Sequence, residues 1–178
     1  MQLGVESIQR IALARNLVLR GYVNKIIEIE SGLGTKTLNR LRASLKSEGL
    51  DWPPTPRGTR QAQTIIKKVT HRQEFAIIML AYRRYGGEGI FKHVDIEAIN
   101  HAYDTYCLIK SELSPHTEHA NINDCYTLAV DIRSAEAEFE YCSHCNVEFF
   151  VSFSQESSYR CPFCLNREAA HKHQQKSA

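Results

Sequence analysis

The sequence opens without a basic stretch leading into an apolar run, and no segment nears the roughly 20 apolar residues of a membrane-spanning helix. The expectation is a cytoplasmic protein with neither a secretory signal nor a membrane partner. Internal repeats are lacking, which excludes solenoids and propellers. The single biased tract is a short polar tail over 169–178. A phosphate-binding glycine loop, a nucleophile elbow, paired carboxylates and a Ser/His/Asp arrangement are all missing. An enzyme is therefore not expected. His71, His93, His101, His116 and His119 show no ligand spacing, so surface positions are expected for them.

What is present is a chain of 178 residues, 43% hydrophobic, enough for one domain with a small appended module. The net charge of +2 averages unlike segments. From Arg10 to Arg72, 13 Lys or Arg stand against 4 Asp or Glu, a balance of +9. From Gln73 to Tyr141, 5 stand against 12, a balance of −7. One end is thus suited to phosphates and the other repels them, although a solvated basic face without a partner has the same composition.

Apolar spacing predicts a helix over about Ser7–Leu19, with Ile8, Ile11, Ala12, Leu13 and Leu19 on its stripe. Gly21 ends it. A short helix over about Val23–Glu30, carrying Ile26, Ile27 and Ile29, stops at Ser31-Gly32-Leu33-Gly34. A third follows over about Thr35–Lys46 through Leu38, Leu41 and Leu45. Pro53, Pro54 and Pro56 make 49–59 a loop or semi-rigid connector. A long amphipathic helix is expected over Ile65–Arg84, halted by Gly86 and Gly87. Asp95 caps another that runs through Ile109, and one more covers about Asn123–Ala137. The period then changes to two: Val147, Phe149, Val151 and Phe153 alternate as a strand, and Tyr159-Arg160 can pair back after a turn over 154–158. The expected fold is mainly α, a helical body with a helix-turn-helix-like N-terminal part and a small C-terminal zinc-ribbon β-hairpin. Its organisation is a basic helical region over 1–48, the linker over 49–59, a helical core and partner-binding region over 60–138, a four-cysteine module over 139–168, and the tail.

Cys142-Ser143-His144-Cys145 and Cys161-Pro162-Phe163-Cys164 form two CxxC pairs separated by fifteen residues. Two residues between thiols let both sulfurs converge on one ion, and the hairpin between the pairs can bring the second knuckle beside the first. One structural Zn2+ held by Cys142, Cys145, Cys161 and Cys164 is the reading, since four thiolates close the tetrahedron against water or substrate. Four cysteines also suit an iron–sulfur cluster. A disulfide framework conflicts with a reducing compartment, and redox chemistry needs only one pair. His144 is read as a bystander that could replace one sulfur. Cys107 and Cys125 are read as buried, inert thiols. Tyr141, Phe149, Phe150, Phe153, Tyr159 and Phe163 are expected mostly to fill the module's small core.

Val23–Lys46 has the layout of a helix-turn-helix. Leu38 and Leu41 point inward, which leaves Thr35, Lys36, Asn39, Arg40, Arg42 and Lys46 as candidate DNA-binding residues. The cations can neutralise phosphates, while Asn39 and Arg40 can reach base edges. Glu28 stands where such motifs often carry a small alanine. Packing of a dimer interface is the competing use of this helix.

The ordered set Arg20-Gly21-Tyr22-Val23, Ile29-Glu30-Ser31-Gly32-Leu33, Leu38-Asn39-Arg40-Leu41, Pro53-Pro54-Thr55-Pro56-Arg57-Gly58 and the two CxxC pairs resembles the flagellar transcriptional activator FlhC family, from about Ile11 to Cys164. The resemblance implies a largely helical protein with a four-cysteine zinc site, assembled with an FlhD-like subunit in a hetero-hexamer of four FlhD and two FlhC chains. It further implies binding to double-stranded promoter DNA and recruitment of RNA polymerase to flagellar (class II) operons. The alternatives are a zinc-stabilised protein-interaction adaptor and a divergent paralogue regulating non-flagellar genes.

Overall fold

A computed structural model describes residues 4–113 and 120–165. His116, His119, residues 166–168 of the expected cysteine module and the polar tail lie outside the described residues. The chain is mainly helical, with one small two-stranded sheet. It divides into two compact units that meet in sequence at Thr59 and Arg60. No helix among the described residues is long and apolar enough to cross a membrane.

In the first unit, α1 (Val5–Leu19), α2 (Asn24–Ser31) and α3 (Thr35–Ser47) pack around Ala14, Leu17, Val18, Tyr22, Ile26, Ile27, Leu38 and Leu45. The buried face of α1 is Ala14, Leu17 and Val18, not the expected stripe; Ile8 stays 55% exposed. Ile29 is likewise exposed, because Ile26, Ile27 and Ser31 form the inward face of α2. Gly32, at φ 67°, closes α2 in the left-handed region, and three residues later α3 has begun. Glu28 accepts a hydrogen bond from the Thr35 hydroxyl, so this carboxylate joins the two helices instead of forcing them apart.

The proline segment has no regular structure, as its composition requires, but it folds back on its own unit. Gly21, at φ 81°, abuts Pro53; a Cβ there would lie 3.2 Å from the Pro53 Cβ. Glycine at 21 thus satisfies both the left-handed turn and the close approach. Trp52 lies under the Arg42 guanidinium, 5.4 Å from ring centroid to Cζ.

The second unit contains α4 (Ala62–Ile65), α5 (Val69–Gly86), a 3-10 turn (Gly87–Phe91), α6 (Ile96–Leu113) and α7 (Ile122–Arg133). The expected helix over Ile65–Arg84 is therefore two. It breaks at Ile66, whose ψ of 72° leaves the helical region, and Ile65 and Ile66 are both buried at the break. Gly87 ends α5 as expected, at φ 58°. Asp95 caps α6 through a 2.9 Å bond from the Ala98 N–H, and Asn121 caps α7 through one from Asn123. The last expected helix stops at Arg133, four residues early: Ala135 turns left-handed at φ 56° and β1 follows.

β1 (Ala137–Cys142) and β2 (Val147–Ser152) are antiparallel, in a register running from Ala137 opposite Ser152 to Cys142 opposite Val147. The partner of β2 thus precedes the first cysteine pair; Tyr159-Arg160 forms no strand. Both faces of β2 are covered. Phe149 and Val151 pack with Ala76 of α5, while Phe150 meets Phe139 edge-on at 6.0 Å. That double coverage buries 149–152 in succession and overrides the expected alternation, so Phe153 is left exposed.

Candidate metal centre and basic helix face

The first CxxC pair is the turn of the hairpin itself. Cys142 ends β1, the Asn146 N–H returns to the Cys142 carbonyl at 2.8 Å, and Asn146 takes the left-handed conformation at φ 58°. The Tyr141 hydroxyl donates to Asn146 Oδ1 at 3.0 Å and ties the turn to the strand. The chain comes back through the bend over 153–160, where Gln155 donates to the carbonyls of Ser157 and Ser158. Cys161 then opens a short helical turn over 162–165.

This second knuckle is fixed from α5. Arg72, only 3% exposed, donates to the Arg160 carbonyl, and Gln73 donates to the Pro162 carbonyl at 3.0 Å. Cys161 is buried with Ala76, Phe149 and Val151, and Cys142, Cys145, Phe163 and Cys164 pack against that cluster.

The four Sγ atoms all lie within 4.8 Å of one another. Cys142 and Cys164 are 3.7 Å apart, and Cys145 and Cys161 3.6 Å. Sulfurs placed tetrahedrally around an ion at about 2.3 Å stand about 3.8 Å apart. The residues therefore fit a single metal ion, with each close contact joining one sulfur of each knuckle. Anionic character within the set begins at Cys142. The Cys145 backbone N–H, helped by that of His144 and opposed by desolvation, brings its thiol down to about 6. Loss of hydration raises Cys161, and raises Cys164 to about 12 with the neighbouring sulfurs adding to the effect.

Other candidates separate cleanly. His144 is exposed and outside the sulfur cluster. Cys125 is fully buried and Cys107 half-buried; burial raises both thiols, Cys125 strongly, so both stay protonated near neutrality. His93 and His101 are exposed as expected, but His71 is half-buried with Nδ1 3.2 Å from the Ile65 carbonyl. Among the aromatics, Phe149 and Phe150 are core, while Tyr141, Phe153 and Tyr159 are 62%, 50% and 49% exposed. The expected aromatic filling thus holds for only part of the set.

In the first unit, Lys36, Asn39, Arg40 and Lys46 are exposed on α3, with Lys36 and Arg40 opposite Leu38 and Leu45 and with Asn39 and Lys46 on the flank between. Thr35 shares that exposure, with its hydroxyl directed to Glu28. Arg42 differs. It is half-buried, donates to Asn24 Oδ1 at 2.9 Å and to the Tyr22 carbonyl at 3.5 Å, and rests on Trp52. Sequence reasoning missed Arg72, although it shares the Phe75, Ala76 and Met79 stripe, where a cation needs an anionic neighbour.

Compared with protein-family models and with curated proteins, the sequence has no significant match to either.

Proposed function

We propose that this protein is a DNA-binding subunit of a transcriptional activator, shaped in part by one structural zinc ion. In this reading it acts with an FlhD-like helical partner on promoter duplexes and recruits RNA polymerase, in the manner its resemblance to the FlhC family implies. The observation that carries the reading is the outer face of α3, where Lys36, Asn39, Arg40 and Lys46 project from a helix anchored by buried Leu38 and Leu45. A helix fixed on one side and basic on the other suits a major groove, with cations on phosphates and Asn39 or Arg40 at base edges. The +9 balance from Arg10 to Arg72 supports it over a longer range.

Zinc is the ion this centre suits. Four sulfurs within 4.8 Å fit one tetrahedral ion, whereas a cluster of several irons with bridging sulfides needs them farther apart. With every position taken by sulfur, the ion would stabilise the fold and leave substrate no place to bind, so the role is binding and not catalysis. Exposed Val5 and Ile8 in the first unit, and separately Tyr141 and Phe153 in the second, offer apolar surface to a protein partner.

The test is a gel shift on promoter duplexes with this chain, with an FlhD-like partner, and with both, at several salt concentrations. Lys36→Ala and Arg40→Ala are each expected to weaken binding and to lower the salt slope by about one. Binding that ignores charge reversal across α3 would favour an interaction adaptor instead. Elemental analysis should find one zinc per chain.

A further inference from the structure

A second basic feature of the first unit lies away from the outer face of α3. A cavity of about 380 Å3 opens between the start of α2, the side of α3 and the proline segment. Lys25, Arg42 and Arg57 line it together with Asn24 and Thr55, and no carboxylate does. Lys25 and Arg57 are exposed, and neither has an ion-pair partner among the described residues. Arg42 is positioned in advance by Asn24, the Tyr22 carbonyl and Trp52, so its guanidinium meets a ligand with little rotamer freedom left to lose.

Three cations around one open concavity, with no anion among its walls, repel one another until an anion arrives. We propose that this cavity is a phosphate clamp, in which Lys25, Arg42 and Arg57 grip one phosphate of a nucleic-acid backbone beside the helix that reads it. The inference rests on the DNA-binding reading above. Arg42 makes the link, because it belongs to α3 and lines the cavity. A phosphate held here would fix the register of the Lys36, Asn39, Arg40 and Lys46 face against the groove. The beginning of α2, which has no side-chain cap, presents the helix end whose dipole has the same preference for an anion. The clamp reads no bases, so it supplies affinity and orientation and leaves sequence to α3. The proline segment gains a task as well: its packing on Gly21 places Arg57 at the cavity.

The test uses the full zinc-loaded chain with its partner subunit, a promoter duplex, a scrambled duplex of equal length and inorganic phosphate. Lys25→Ala and Arg57→Ala change exposed side chains, and unchanged circular dichroism would confirm their folding. Each should lower affinity for both duplexes by the same factor, and the two changes together should lower the salt slope by about one. Equivalently, the affinity lost between about 50 and about 200 mM salt should shrink about threefold in the double variant. Arg57→Lys should retain most of the binding. If both alanine variants bind like the parent while Lys36→Ala and Arg40→Ala do not, the clamp is wrong and the α3 reading survives. If neither set weakens binding, both fall. Inorganic phosphate should perturb the side-chain NMR signals of Arg42 and Arg57, and duplex should displace it. Phosphate binding that duplex fails to displace would assign the cavity to a small phosphate ester and overturn the backbone clamp.

Discussion

Replacing Arg72 with Met separates the metal-bound from the metal-free state of the sulfur cluster. Arg72 is almost fully buried, gives one hydrogen bond to the Arg160 carbonyl, and has its Nη1 buried without a partner. Burial costs the guanidinium hydration, and the Cys161 thiolate and Glu140 are the negative groups that offset it. With four thiolates on a divalent ion, the centre carries a net charge of about −2. Arg72 then works as the counter-charge of a buried pair. Its loss removes a charge-assisted bond worth about 1.5–3 kcal/mol and leaves the centre less compensated, so about 2–4 kcal/mol is expected in the metal-loaded protein. With metal removed, Cys161 and Cys164 hold their protons, and the same guanidinium is mostly a desolvation burden. Methionine should then be neutral or mildly stabilising. The assay is urea unfolding of parent and variant, each with one metal equivalent and after chelation, followed by the rate of metal transfer to a chromophoric chelator. Equal destabilisation with and without metal would show that Arg72 serves only the Arg160 carbonyl and would refute the counter-charge argument.

Cys161→Ser should lose the ion and expose the C-terminal module to proteolysis, since metal binding supplies its folding energy; native-like metal content and protease resistance would rule out the four-thiolate set. Asp131 carries a signed pH effect. Burial, with Glu136 repulsion added and a bond from Ser152 opposing, raises it to about 6 from 3.8. A raised carboxylate favours folding while protonated, so its stabilisation is present below about pH 4 and is lost as pH climbs through 6. Asp131→Asn should therefore stabilise the protein at pH 7.5, by about 1 kcal/mol once solvent screening of this half-buried group is allowed for, and have little effect near pH 4. A parent–variant difference that stays flat across that range would contradict this. Gly21→Ala should cost about 1–3 kcal/mol, through left-handed strain and the Pro53 contact, in a thermal melt of the full chain.

Much of the helical layout was legible because Gly21, Gly32, Gly34, Gly86 and Gly87 interrupt clear apolar periods, and Asp95 announces a cap. The cysteine cluster was legible from its spacing alone. The break after Ile66 was not: Ile65-Ile66-Lys67-Lys68 has no proline or glycine, so nothing local in the sequence signals it. The partner of β2 was missed because Ala137-Glu138-Phe139-Glu140 follows a helix directly, and helix-compatible residues hid its period of two. Arg42 shows the same limit on a surface. Its position in α3 marks it as a cation for DNA, yet Trp52, Asn24 and Arg57 decide where its charge is offered, and those come from α2 and the proline segment.

The hairpin turn over 143–146 and the first CxxC stretch, Cys142 to Cys145, share three residues. Length there is therefore locked twice over. One residue gained or lost between Cys142 and Cys145 would displace a ligand and also slip β2 by one position, carrying Phe149 and Val151 from the α5 side of the sheet to the opposite side. The bend over 153–160 holds no sulfur ligand; it is held by the Gln155 bonds and by the Arg72 bond to the Arg160 carbonyl, and a residue inserted there leaves the β1–β2 register intact.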